Sequence, residues 1–171
     1  MNYLYPRLSE HDCHLFFFFF SGLGNILFTY ARGVVYAGKH ENVKVIWPTW
    51  PSIKIGPSLR REKDKRFYTD LFRNKSGYID GVKKTALLLA KKKVKEKDAL
   101  QALSFDDKII EFEGFDDCFE PIIHDSQIVY DDIVKNLAKK NQKALEFDGK
   151  QSICMHVRLG DFTRVTWEEV L

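Results

Sequence analysis

The chain has 171 residues and a net charge of +3, with 44% hydrophobic and 30% charged residues. That composition supports a buried core and excludes a wholly disordered chain. Ten glycines and five prolines exclude a collagen-like or low-complexity one. The longest apolar run near the N-terminus covers residues 15–20. A membrane span needs about 20 apolar residues, and a signal segment needs a basic flank and a small-residue cleavage site. The run meets neither requirement.

In chain order, the first 14 residues show no periodic pattern and read as irregular. Residues 15–20 are short, aromatic and fully apolar, and end at Ser21-Gly22. They read as a buried strand of a parallel sheet. Leu23, Ile26, Leu27, Tyr30, Ala31, Val34, Val35 and Gly38 then recur at helical spacing and predict an amphipathic helix, with Gly38 near its end. Residues 43–47 predict a second strand, stopped by Pro48 and Pro51. Strand, Gly-containing turn, helix and strand make a βαβ unit, for which a right-handed crossover is expected.

Residues 48–82 are basic and rich in turn formers. Residues 83–103 predict a helix with an apolar patch at Leu87, Leu88, Leu89 and Ala90. Residues 108–112 predict a short strand. Residues 127–145 predict another helix, capped by Asp125 or Ser126. Its expected buried stripe is Val129, Ile133 and Leu137 with Tyr130, Val134 and Ala138. Residues 151–158 alternate as a strand and run into Gly160. The expected partition is an irregular segment at 1–14, a first domain at 15–150 and the start of a second at 151–171.

Charge is distributed unevenly. Residues 54–97 hold 15 Lys/Arg against five Asp/Glu, and residues 106–132 hold ten acids against Lys108. The basic block offers two readings. One is a non-catalytic module that binds an acidic partner. The other, favoured here, is a set of solvated faces answered by the acidic block. The densest run, Lys91-Lys92-Lys93-Val94-Lys95-Glu96-Lys97, contains no aromatic on which a base would stack. Cys13, Cys118 and Cys154 are odd in number and form no CxxC, which argues against a disulfide framework or a zinc ribbon and leaves one disulfide open. Asp116, Asp117, Cys118, His124 and Asp125 lack metal-ligand spacing. Trp47 and Trp50 read as packing residues.

Two turns carry candidate chemistry. Ser21-Gly22-Leu23-Gly24-Asn25 opens the first helix. Its unpaired N–H groups and the helix dipole favour a phosphate or a sugar hydroxyl, Gly22 and Gly24 allow close approach, and the Asn25 amide both donates and accepts. GxGxxG is incomplete because Leu27 stands at the third glycine position. His156-Val157-Arg158-Leu159-Gly160-Asp161 forms the second turn. On a strand His156 and Arg158 project to one side, at the carboxyl end where α/β sheets bind ligands. Arg158 there is a bidentate clamp for a pyrophosphate, the Gly160 N–H can approach an oxygen, and Asp161 can orient the guanidinium.

Ser21-Gly22-Leu23-Gly24-Asn25-Ile26-Leu27-Phe28-Thr29-Tyr30-Ala31 resembles the GGLGNQLFQYA segment of the α1,2-fucosyltransferase family. Cys154-Met155-His156-Val157-Arg158-Leu159-Gly160-Asp161-Phe162 resembles its HxRRGDY donor motif. Order and separation fit as well. Departures from the pattern are Ile26 and Thr29 at two Gln positions, Leu159 at the second Arg and Phe162 at the Tyr.

The resemblance implies an α/β chain of GT-B type: an N-terminal Rossmann-like domain plus the first strand and loop of a truncated donor-binding domain. It implies transfer of fucose from GDP-fucose to a galactose hydroxyl of a glycan, with inversion and no required metal or other cofactor. By the same resemblance His156, Arg158, Gly160 and Asp161 hold the donor, and Gly22, Gly24 and Asn25 line the cleft. It names no catalytic base. It implies a Golgi membrane location for an animal member, through an anchor helix not visible here, and a cytoplasmic one for a bacterial member. Nucleic acid is not an expected partner.

Overall fold

A computed structural model describes residues 1–8, 23–50, 71–101, 107–114 and 120–142. They form a mixed α/β arrangement around a four-stranded, all-parallel sheet of order β2-β1-β4-β3, compatible with a Rossmann-like fold. Chain order runs β1 (Asn2–Pro6), α1 (Leu23–Lys39), β2 (Val43–Val45), α2 (Gly81–Ala90), β3 (Lys93–Lys95), α3 (Glu96–Gln101) and β4 (Ile109–Phe112). A 3-10 turn (Glu120–Asp125), α4 (Ser126–Asn136) and α5 (Lys139–Gln142) follow.

The strand that enters α1 within this sheet is β1, in the segment expected to be irregular. Tyr3-Leu4-Tyr5-Pro6 is a genuine period-2 element hidden by its aromatics. Tyr3 and Tyr5 pack with Ile109 and with Leu88 of α2. Leu4 packs with Ile110, Phe112 and Val45, against Tyr36 and Ala37 of α1 and Ala99 of α3. The two faces of β1 are therefore covered by different helices. Pro6 is tolerated because it closes the strand; the next amide, Arg7 N–H, donates to the Phe112 carbonyl at 2.8 Å. The strand predicted at residues 15–20 lies outside the described residues.

Helix α1 follows its predicted face. Ile26, Tyr30 and Val34 are buried together with Trp47, Trp50 and Phe72, as expected of packing tryptophans. Gly38 stands one residue before the end of the helix, as expected. It lies within α1, where a Cβ would come 3.3 Å from Ile128 Cγ2 of α4, so it permits close helix approach. β2 is shorter than predicted, and Ile46 continues it as a parallel bridge to Ile79.

The helix predicted over residues 83–103 is divided. α2 ends at Ala90, Lys93–Lys95 forms edge strand β3 beside β4, and α3 restarts at Glu96. Lysine favours helix in isolation, but pairing with the buried strand Ile109–Phe112 overrides that weak preference. The helix predicted over residues 127–145 breaks at Leu137, and its buried stripe is as expected at Ile133, Leu137 and Ala138 but not at Tyr130. Ile128, Ile133 and Leu137 face the core, Asn136 is fully buried, and Tyr130 is exposed. Asp125 caps α4 without a side-chain hydrogen bond and instead accepts from Lys39 Nζ at 2.6 Å.

Candidate functional site

In an open parallel sheet the ligand crevice lies at the carboxyl ends of the two neighbouring strands from which the connections depart in opposite directions. Here the chain leaves both central strands, β1 and β4, on the α1 face, where α4 packs on α1, so the two do not form such a switch point; what they share is a carboxyl edge. Their ends deliver Arg7 and Leu8 on one side and Glu113 and Gly114 on the other. The first turn of α1, with Gly24, leads into Thr29 and Arg32, the helix residues that reach this edge.

Helix α1 holds this edge in place. Thr29 Oγ1 donates to the Gly114 carbonyl at 2.8 Å. Arg32 Nη2 donates to the Glu113 carbonyl at 2.9 Å and Nη1 to the Gly114 carbonyl at 3.3 Å. Arg32 also binds both carboxylate oxygens of Glu96 at 3.0–3.3 Å through Nε and Nη2. The guanidinium is 2% exposed, so its charge is compensated by position rather than by water. Gly114 takes φ +70°, the left-handed region that glycine enters without steric cost. Among the described residues, a Cβ on Gly24 or Gly114 would meet no atom within 4 Å.

The edge is ionic. Arg7 Nη1 lies 3.4 Å from Glu113 and 3.8 Å from Glu111. Lys93 and Lys95 reach Glu111 and Glu113, each at 2.9 Å. Lys95 holds its proton above the usual lysine range, chiefly through its hydrogen bond to Glu113. Lys91 pairs with Asp107, whose carboxyl the lysine hydrogen bond holds below its usual range. Three lysines of the dense basic run therefore answer acids of the acidic block directly.

A second polar cluster joins α1, the loop before α2 and α4. Asp132 accepts from the hydroxyls of Tyr30, Tyr78 (2.5 Å) and Ser76 (3.0 Å) and from Asn136 Nδ2 (3.1 Å). Asn136 Oδ1 accepts from the amides of Lys75 and Ser76 at 2.8 and 3.0 Å. Burial first, then the Asp132 carboxylate, pushes both tyrosine hydroxyls above the usual phenol range. Asp132 and Tyr78 also line a cleft of about 540 Å³ with Val34, Val43, Lys44 and Ile128.

Of the residues singled out in sequence, Gly24 is exposed in the first turn of α1 and Asn25 follows it in that helix. Gly22, His156, Arg158, Gly160 and Asp161 lie outside the described residues, as do Asp116, Asp117 and the three cysteines. Sequence reading missed Thr29, Arg32 and Asp132. The available signal was polar residues set on the buried faces of two amphipathic helices. Among the described residues no group of three or more His, Cys, Asp or Glu is placed to hold a metal ion, and no helix is long and apolar enough to cross a membrane. No protein-family model, curated protein or solved structure matches the chain.

Proposed function

We propose that the protein belongs to glycosyl transfer: a GT-B enzyme resembling α1,2-fucosyltransferases, which moves fucose from GDP-fucose to a galactose hydroxyl of a glycan. The observation that carries this reading is a juxtaposition. Gly24 and Asn25, part of the first motif, open α1, the helix whose Thr29 and Arg32 reach the turn after β4 of the all-parallel sheet, and among the described residues no atom crowds Gly24. The partner motif, His156 to Asp161, supplies the donor-binding groups. Departure of GDP places growing negative charge on the pyrophosphate, and Arg158 stabilises that charge as it develops. His156, Gly160 and Asp161 shape the loop around it, and Gly22, Gly24 and Asn25 face it from the first domain. The chemistry asks for no metal.

The competing module, which would bind an acidic partner through residues 54–97, is weakened by one observation. Lys91, Lys93 and Lys95 are engaged by Asp107, Glu111 and Glu113.

The test is calorimetric titration of the purified chain with GDP and GDP-fucose in metal-free buffer, with ADP as control. Saturable binding selective for the guanine nucleotide and abolished by Arg158→Ala supports the reading. Binding that survives Arg158→Ala and disappears on substitution of Lys91, Lys92 and Lys93 by Ala supports the module instead. Absence of guanine-nucleotide binding by the folded chain counts against the donor site.

A further inference from the structure

We infer that the outer face of α2 is a self-association surface, through which two copies of the chain pair in an antiparallel, two-fold arrangement. This inference does not rest on the fucosyl-transfer reading. Helix α2 lies between β2 and β3 in the chain and covers the sheet face that carries Tyr5, Ile46 and Ile109, packing there through Leu88. Its amphipathic pattern is inverted. Lys84, on the sheet side, is 8% exposed, and its ammonium donates to Thr49 Oγ1 at 2.7 Å. Val82 and Leu89, on the opposite side, are 88% and 75% exposed. A surface helix ordinarily buries its apolar residues and leaves its lysines in water.

Val82, Thr85, Ala86 and Leu89 fall at i, i+3, i+4 and i+7 and make one exposed stripe along α2. The Thr85 hydroxyl donates to the Gly81 carbonyl of its own helix at 3.4 Å, so the polar atom of the stripe is engaged within α2. A contiguous apolar stripe left in water marks an interaction surface.

The stripe is its own complement, which a two-fold interface requires. With two α2 helices antiparallel, Val82 of each copy meets Leu89 of the other. The small residues Thr85 and Ala86 meet at the centre, where the axes can approach to about 8–10 Å. The same register sets Asp80 opposite Lys91 of the second copy, with Lys92 beside it. Asp80 Oδ1 accepts from the Gly81 N–H at 2.8 Å, which leaves its other oxygen for the interface. Lys91 is taken by Asp107. Lys92 is exposed and has no ion pair among the described residues, so it is the cation that answers Asp80. A parallel pair would instead set Asp80 beside Asp80 and Lys92 beside Lys92. Charge therefore selects the antiparallel arrangement, and opposed helix dipoles agree with it. One ten-residue helix per copy is about 15 Å long. Such an interface is at the small end of the range, so the dimer should dissociate at about micromolar concentrations or above.

The experiment is sedimentation velocity of the full chain, from low micromolar to several hundred micromolar concentration. The expected result is a monomer–dimer equilibrium that shifts with concentration. Leu89→Lys and Val82→Lys should each weaken dimerisation at least tenfold; both positions are exposed, so the fold is kept. Where one of them fails to fold, the other decides. Asp80→Asn keeps an N-capping side chain and removes the charge, and should weaken dimerisation several-fold, as should Lys92→Glu. Ile123→Lys, at an exposed apolar residue outside α2, should leave the equilibrium unchanged. A folded chain that stays monomeric at every concentration overturns the inference; if that monomer binds vesicles of anionic phospholipid and Leu89→Lys does not, the stripe belongs to a membrane surface. A dimer that persists in both Leu89→Lys and Val82→Lys also overturns it, and one lost in Ile123→Lys alone places the interface elsewhere.

Discussion

Gly33 of α1 and Leu4 of β1 are packed so closely that the glycine has no room for a side chain. A Cβ on Gly33 would sit 2.8 Å from Leu4 Cδ2 and 3.4 Å from Pro6 Cγ. Leu4 is fully buried, so its methyl has nowhere to swing. The glycine sets the distance between the helix and the sheet, and with it the reach of Thr29 and Arg32 to the turn after β4. Gly33→Ala should destabilise the protein by about 1–3 kcal/mol through overpacking, despite alanine's better helix propensity. Urea unfolding measures it. A neutral or stabilising result would mean that the helix and strand can separate without cost.

Asp132 gathers four donors, three from two segments distant in sequence and one, Asn136, from its own helix. Asp132→Ala would leave the Tyr30, Tyr78 and Ser76 hydroxyls without their acceptor, while Asn136 Nδ2 keeps Ser76 Oγ and the backbone carbonyl of residue 132. Each buried donor left unsatisfied costs about 1–3 kcal/mol, reduced where water enters the adjacent cleft. A total loss of about 3 kcal/mol is expected, together with detachment of α4 from the loop at residues 74–78. Hydrogen exchange should show α4 amides losing protection before those of β1 and β4. Equal loss everywhere would show that the cluster is not the local tie.

The same cluster predicts an alkaline limit. Burial raises the Tyr30 and Tyr78 hydroxyls above their ordinary value in the folded state. In the unfolded chain they ionise near pH 10. The folded state therefore keeps protons that the unfolded state releases. The stabilising contribution is complete below about pH 10 and is lost as pH rises beyond it, at about 1.4 kcal/mol per pH unit for each tyrosine. Unfolding free energy measured from pH 8 to 11 should fall on the alkaline side, and Tyr78→Phe should flatten that fall. An unchanged slope in the variant would assign the loss to the lysines instead.

Much of the sheet was legible because apolar runs carry their own period. Residues 43–47 and 108–112 contain β2 and β4, and the Ile26-Tyr30-Val34 stripe locates α1. β1 escaped because both of its faces are buried, so Tyr3 and Tyr5 break the apolar pattern until Leu88 and Ile109 are seen to pack on them. On α4 the apolar stripe was legible at Ile133, Leu137 and Ala138, but its buried polar residues were not. Counting only apolar residues places Tyr130 inside, whereas the tyrosine donors across the interface recruit Asp132 and Asn136. A buried polar face is specified by its partners, and those lie over 50 residues away in sequence. Gly24 was singled out at the start of α1, while Thr29 and Arg32, which hold the loop after β4, acquire meaning only once β4 lies beside β1.

Arg32 offers the sharpest test of how that edge is held. Its guanidinium binds Glu96 of α3 and the carbonyls of Glu113 and Gly114 after β4, and is 2% exposed. Removing one partner of a buried ion pair strands the other, at about 3–5 kcal/mol. Arg32→Met should therefore cost that much, and Glu96→Gln less, because the amide keeps an acceptor oxygen. The pair Arg32→Met/Glu96→Met removes both charges and should recover much of the loss, giving a coupling energy of about 1–3 kcal/mol in a double-mutant cycle. The carbonyls of Glu113 and Gly114 stay unsatisfied in that double variant, apart from the Thr29 contact. Stability should thus return further than loop order, and amide exchange at Gly114 should remain fast. Full recovery of both would show that the carbonyl contacts of Arg32 are incidental. Recovery of stability alone would show that one side chain serves two purposes, charge compensation toward α3 and placement of the β4 turn.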